Sequence, residues 1–582
     1  MKINESKYGF VVKKRTEVSE LNATMYEMEH IKTHLKLAWL KRDEENKTFG
    51  IAFKTLPSDD SGVFHILEHS VLCGSKKYPV KEPFVELMKS SMSTFLNALT
   101  FEDKTFYPIS SRNNQDFMNL TKVYLDAVFN PLILNKKEIF LQEGWHIEAT
   151  ESPTYKGVVL NEMKGAFSSP REIMMNALNR ALFKDNCYQY VSGGDPESIT
   201  DLTYEQFIQT YQKYYHPSNS LIYLYGNLDP EEYLTFLDEK YLSSYETLEV
   251  DSAIPLQKPF DKKRCVKCEY SVMEGDIAEN ETYLTYNIAM GSSLDRELYI
   301  AMDVLVHVLC SDPGSPVKQA LVDAGIGDEV YSYSETGIAQ PYFSITAKNA
   351  SSAQQEQFVS IIEEELQRIV KHGIDRKALL ATLNEFEFRY READFGSYPR
   401  GLMLGLQALD SWLYDKEKPF IHIEANDTLA VLKEKIETSY YEDLVQKYFI
   451  DNRHKAVVVV EPVPGLTGKK EEELADRLAA IKDRMTDEEK QAVVDATKAL
   501  HAYQQEPSPK EDLAKIPLLK REDMKKEAAA YVNEERGSKE APALYHNIFT
   551  NGIGYLNLVF DASHVPARLF PYIGILKSIF TL

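Results

Sequence analysis

No apolar run in this sequence reaches the ~18 residues that a bilayer-spanning helix needs. The first residues, MKINESKYGFVVKKRTE, lack the apolar core of a secretory signal and the Arg- and Ser-rich, acid-poor composition of an organelle transit peptide. A cytoplasmic, bacterial setting is the reading left. Positive charge is also in short supply: 66 Lys and Arg stand against 89 Asp and Glu, a formal net charge of -23. Nucleic acid needs a face where Lys and Arg dominate and is excluded as a partner. Basic peptides would suit the charge, although acidity also serves plain solubility. Cysteine is scarce, with five in 582 residues. An odd number spread over a long chain fits reduced thiols and not a disulfide framework. Cys265 and Cys268, the one close pair, have no second Cys or His pair at zinc-finger spacing and read as two strand residues.

What is present is an ordinary globular balance, 43% hydrophobic and 27% charged, in a chain long enough for roughly three to five domains. Within it, His65-Ile66-Leu67-Glu68-His69 stands out. On a helix, positions i and i+4 share a face, so both imidazoles can address one metal ion with Glu68 beside them. A catalytic zinc keeps three protein ligands and an open position for water, whose pKa falls to about 7. A carboxylate that is not a ligand can take that water's proton and pass it to a leaving amine. The order His-x-x-Glu-His is the reverse of the zincin string and defines the inverzincins.

A second pair, His30 and His34, has the same spacing, but MEHIKTHLKLAWL alternates like a strand and has no Glu between the histidines, so it reads as a decoy. Context favours the first pair. The apolar stretch 49–53 reads as a strand, 57–62 supplies turn and N-cap residues, and 63–73 follows with helical spacing up to Gly74 as its stop. The best candidate for a third ligand is Glu162, in GVVLNEMKG at 157–165.

Several strings in order carry a resemblance: Ser61-Gly62-Val63 running into HILEHSVLCGS, then STFLNALT (93–100), LQEGWH (141–146), GVVLNEMKGAF (157–167), SGGDP (192–196) and YHPSN (215–219). Together they resemble the pitrilysin-type inverzincins, specifically the presequence-protease branch. The likeness runs over essentially the whole chain and is sharpest in residues 40–230. It implies that His65, His69 and Glu162 hold one zinc ion and that Glu68 is the general base. It also implies that Asn97 and Ala98 lie on an edge strand to which a substrate backbone adds.

The strand, turn and helix of 48–74 return at 282–311. Aligning Cys310 with Cys73 puts Met302, Leu305 and Val306 where His65, Glu68 and His69 stand, so the second copy has the helix without the chemistry. Its lone His307 reads as packing or surface. A long helix near 353–371 and the strand KAVVVVEP (455–462) continue this copy. The stretch 465–541 is charged and Ala-rich, with Thr486 capping the second of two amphipathic helices. It resembles the family's hinge between halves. The expected fold is α+β: repeated two-layer domains, each an antiparallel-rich sheet with helices on one face. The expected boundaries are 1–245 for a catalytic zinc-binding domain, 246–464 for a non-catalytic peptidase-like domain, 465–541 for a helical hairpin linker and 542–582 for the start of a third copy. Because Leu582 falls inside an apolar helix, the sequence reads as the front part of a longer protein.

These readings converge on a zinc metalloendopeptidase that degrades short or unfolded peptides. In the family, a C-terminal half closes the chamber and supplies Arg and Tyr side chains, so this chain alone is expected to cleave weakly or not at all. A non-catalytic peptide-binding or assembly subunit of the same superfamily is the rival. The intact histidines and glutamates count against it.

Overall fold

The computed structural model describes every residue except 149–152, 276–278, 529 and 581–582. Leu582, on which the expectation of a longer protein rested, is outside the described residues. The chain divides into a unit of 1–529 and a smaller one of 530–582.

Two sheets build the larger unit. The first uses β1 (Ser6–Lys7), β2 (Phe10–Val18), β3 (Ala23–His30), β4 (Lys36–Arg42), β5 (Lys47–Lys54), β6 (Ser93–Leu96), β7 (Leu99–Thr100) and β8 (Lys104–Ser111). A separate hairpin of β9 (His146–Glu148) and β10 (Thr154–Lys156) intervenes before its last strand, β11 (Ser220–Tyr225). The order is β1-β2-β3-β4-β11-β5-β8-β6, with β7 also on β8. β4 and β11 run parallel and β5 is antiparallel to β8. The second sheet orders β12 (Arg264–Val272), β13 (Thr282–Ala289), β14 (Glu329–Glu335), β15 (Tyr342–Ala350) and β16 (Lys455–Pro464) as β12-β16-β13-β15-β14.

The central strands do not alternate: every residue of β8 and all but the last of β5 are buried. Both faces of the first sheet are therefore covered at its centre, even where β8 carries Lys104, Thr105, Ser110 and Ser111. One face of the first sheet carries helix α1 (Val63–Val71). The other is covered by a helix from beyond the second sheet's hairpin, Arg400–Trp412, whose Leu402, Leu409 and Trp412 pack on Ala38, Ala52 and Phe106. Full burial of such a side chain contributes about 1.5–3 kcal/mol. The approach is close because Gly401 and Gly405 stand at the contact. A Cβ on Gly401 would lie 2.5 Å from Thr48 Oγ1, and one on Gly405 2.8 Å from the Tyr223 ring. The exchange is reciprocal: Met174 and Leu178 of helix Pro170–Leu182 pack on Val458 and Val460 of the second sheet. Each sheet thus adds a helix lent by the other half to the one-sided layer expected for it.

Some elements differ in extent from the sequence reading. His30 ends β3 and His34 sits in the turn before β4 with φ +57°, so the two do not share a strand. His30 is buried between Thr33 and Asp238, and His34 pairs with Glu29 on the surface. Helix α1 stops at Val71, short of Gly74, because Leu72 N and Cys73 N tighten onto His69 O and Ser70 O. In the second sheet's half, helix Arg296–Val306 buries Met302, Leu305 and Val306, while His307 packs edge-on against Phe386. Cys265 and Cys268 both lie on β12.

The two charged helices are Leu466–Arg484 and Asp487–Gln505, the second started by a capping box between Thr486 and Glu489. The second helix docks on the first half: Thr497 Oγ1 donates to Ile147 O, and Lys81 donates to Tyr503 O and Glu506 O. In the smaller unit, Glu534–Gly537 pairs with Pro542–Tyr545, and helix Phe570–Phe580 follows. The start of a third copy expected over 542–582 would carry a strand, turn and helix, but 553–562 has no regular structure. A lone strand with no partner edge is not stable in water. No helix among the described residues is long and apolar enough to cross a membrane.

Candidate metal centre

Helix α1 brings His65, Glu68 and His69 into one patch. It starts at Gly62, whose φ of +65° only glycine adopts cheaply. A Cβ there would also lie 2.6 Å from Gly193 O and from Gly194 Cα. This close approach is why the helix lacks the side-chain cap expected from 57–62. The acidic residues of that turn serve the loop instead. Asp60 Oδ1 accepts from Val191 N, Asp60 O accepts from Asp195 N, and Arg180 reaches both Asp60 and Asp195.

That loop fixes the first histidine. His65 Nδ1 donates to Gly193 O at 2.9 Å, which leaves Nε2 as the bare nitrogen. His69 Nδ1 faces Glu143 Oε2 at 3.3 Å, so its Nε2 is directed elsewhere as well. Both Nε2 atoms face Glu162 Oε2, at 3.9 Å from His65 and 3.6 Å from His69. Ligand atoms of His65, His69 and Glu162 all lie within 4.8 Å of one another, and no other group of three His, Cys, Asp or Glu among the described residues does so. Glu162 arrives on helix Val158–Ala166, with about half of its side chain exposed.

Two imidazole nitrogens and a carboxylate oxygen form a borderline donor set that suits zinc. The outward nitrogens each have a hydrogen-bond acceptor, as metal-ligating histidines usually do. The residues present therefore fit a zinc ion. Neither Glu143 nor Gly193 was singled out from the sequence, although both lie in strings that carry the resemblance, LQEGWH and SGGDP. The missing signal is the outer nitrogen of each histidine, which needs an acceptor that the sequence does not name.

Glu68 is buried and accepts from Thr100 Oγ1 at 3.1 Å. Burial raises its proton affinity above the ordinary carboxylate range, although His69 and His65 oppose this. Burial likewise works against charge on Glu143, but the bonds from His69 and Gln142 outweigh it and hold that carboxyl low. Asn97 and Ala98 lie between β6 and β7 at the rim of the first sheet. Leu96 pairs with Ile109 and Leu99 with Phe106, which leaves the two residues opposite Tyr107 and Pro108. Proline offers no N–H, and the edge strand breaks there. Asn97 is exposed, its carbonyl accepting from Tyr124 OH at 3.1 Å, while Ala98 is buried.

The chain is similar to known proteins over most of its length. Residues 201–386 match the Peptidase M16 inactive domain, and 460–582 match the associated domain of peptidase family M16, subfamily C. Protein HypA of Clostridium perfringens is 43% identical over 574 residues, 98% of this chain and 59% of its own length. Presequence protease 1, chloroplastic/mitochondrial, of Arabidopsis thaliana is 37% identical over 578 residues, 97% of this chain and 53% of its own. The chain thus spans little more than half the length of these relatives. Among solved structures, pitrilysin superposes with a TM-score of 0.55 at 15% identity, over 78% of this chain and 46% of that one. At that identity the likeness concerns the fold alone. The inactive-domain match contains none of His65, Glu68, His69 and Glu162.

Proposed function

The chain belongs to the M16 family of peptidases, and we propose that it is a zinc-dependent endopeptidase of short or unfolded peptides. His65, His69 and Glu162 would hold the metal, and Glu68 would act as general base. The observation that carries this is the convergence of two bare Nε2 atoms and one carboxylate oxygen beside a buried, non-ligand carboxylate. Zinc bound there supplies Lewis acidity, acidifying a water and polarising a carbonyl oxygen. Glu68 takes the proton from the attacking water and hands it to the leaving amine, with Thr100 fixing its carboxylate. Gly193 O and Glu143 hold the two rings in orientation. The outer edge of β6, beyond which no strand pairs among the described residues, offers the substrate backbone a place to add as a strand near Asn97 and Ala98. Closure of the chamber by a further half, and a bacterial cytoplasmic setting, belong to the same proposal.

Elemental analysis of the purified chain, together with a fluorogenic peptide assay, tests it. One zinc per chain is expected, with cleavage that stops on chelation and returns with zinc. Zinc with no cleavage even when the closing half is supplied would favour the peptide-binding subunit, and cleavage insensitive to chelator would overturn the metal role. Glu143→Ala is expected to weaken zinc binding about 10–100-fold, because His69 loses the partner of its Nδ1. Competition with a chromogenic chelator measures that change, and an unaltered affinity would remove Glu143 from the site.

A further inference from the structure

Helix Pro170–Leu182 belongs to the second sheet by its packing and to the metal centre by one side chain. Its Met174, Leu178, Ala181 and Leu182 share a core with Val458 and Val460. Arg264 of β12 holds its last turn, where Nη1 donates to Arg180 O at 3.2 Å and to Ala181 O at 2.5 Å. A cation on these carbonyls also complements the negative end of the helix. From that turn the Arg180 side chain reaches the other way. A single nitrogen, Nη2, lies 3.1 Å from Asp60 Oδ1 and 3.4 Å from Asp195 Oδ2.

These two carboxylates bracket what holds His65. Asp60 leads into helix α1, and Asp195 closes the loop that supplies Gly193 O. Asp60 Oδ1 accepts from Val191 N at 2.8 Å and Asp60 O from Asp195 N at 2.8 Å, so the carbonyl that receives His65 Nδ1–H is pinned on both sides. Two carboxylates at one cation repel each other once the cation is gone. The turn before α1 and the loop would then separate, and Gly193 O would move with the loop.

We infer that Arg180 is a positioning residue for His65, through which the half that carries the second sheet sets the direction of a metal ligand in the first. The consequence for zinc rests on the zinc-peptidase reading; the effect on the ring does not. A neutral histidine ligates through Nε2 only while Nδ1 carries the proton, and that is the tautomer Gly193 O selects. His69 stands outside this chain of bonds, because its Nδ1 faces Glu143. It serves as the control within the same molecule.

Nitrogen NMR of metal-free protein labelled with 15N-histidine, at a pH where both rings are neutral, reads each ring separately. The parent is expected to hold His65 as the Nδ1–H form. In Arg180→Met, His65 is expected to divide between the two tautomers while His69 keeps its signals. Arg180→Lys is expected to return His65 to the parent state, because both contacts are made by one nitrogen and an ammonium can replace it. Competition with a chromogenic chelator is expected to show zinc bound at least about threefold more weakly by Arg180→Met, short of the roughly 10–100-fold typical of a ligand's direct partner. Arg264→Met removes two hydrogen bonds outside the loop and is expected to move both readings the same way; it decides the matter if Arg180→Met does not fold. The inference is overturned if the parent's His65 is not the Nδ1–H form, if Arg180→Met leaves His65 unchanged, if both histidines change alike, or if lysine fails to restore the ring. Unchanged readings in Arg264→Met overturn the link to the second sheet. A parent that takes up no zinc sinks the peptidase reading, and the His65 spectrum still decides the role of Arg180.

Discussion

Glu68→Gln is expected to lower the rate of peptide cleavage by at least about a hundredfold while the zinc content stays at one per chain. The magnitude is that of a general base, whose removal typically costs 10²–10⁴ in rate. The amide nearly preserves shape and can still face Thr100, so loss of the fold is not the expected cause. Metal content is the control, because Glu68 is not among the three residues whose ligand atoms converge. The pair of readouts separates three outcomes. Activity lost with zinc retained assigns proton transfer to Glu68. Activity and zinc lost together make it structural. Activity retained removes it from the chemistry, and Glu162 or Glu143 becomes the group to test.

The part of this centre that the sequence discloses is the part set by helix geometry. His65, Glu68 and His69 fall on one face because their spacing is three and four, whatever surrounds them. Glu162 is remote in sequence, and only the ordered series of strings pointed to it. The outer partners Glu143 and Gly193 stayed hidden because they are defined by where the rings point once the chain has folded. The same limit governs the fold. The repeated two-layer plan, the strands at 49–53 and 455–462 and the capped helical pair could be read from apolar pattern and turn residues. That Arg400–Trp412 covers the first sheet and Pro170–Leu182 the second could not, since an apolar helix face does not say which sheet it meets. The break at Asn97 and Ala98 depends on Pro108 in the neighbouring strand, so the local string STFLNALT reads as one uninterrupted strand.

The second large effect is expected at the junction between those exchanged layers: Asp103→Ala should destabilise the larger unit by about 3–5 kcal/mol. Asp103 is fully buried just before β8. Its Oδ2 accepts from Tyr188 OH and from Tyr414 OH, each at 2.7 Å, and its Oδ1 from Lys104 Nζ at 3.2 Å. Lys104 donates onward to Gly337 O at 2.8 Å, and Ala339 N donates to Tyr188 OH at 2.8 Å, so the cluster ties the first sheet to the segment between β14 and β15. Burial lowers the proton affinity of the Lys104 amine, but Asp103, Asp410 and Glu102 outweigh it and raise that affinity above its ordinary value. Burial and Asp103 together hold both phenols protonated, so they can donate. Removing Asp103 leaves a buried cation without its adjacent carboxylate and Tyr188 OH without its acceptor, while Tyr414 OH keeps Gly337 O at 3.0 Å; deleting one partner of a buried pair in this way costs about 3–5 kcal/mol. A charge-neutral replacement of the pair is cheaper, so Asp103→Asn with Lys104→Met is expected to recover at least half of the loss. Urea denaturation monitored by tryptophan fluorescence measures both variants, and equal losses in single and double variants would show that the charge of Lys104 is not the source. Three residues upstream of Asp103, Thr100 holds Glu68. If this junction also sets the position of β7, the single variant will lose cleavage rate at temperatures where it remains folded.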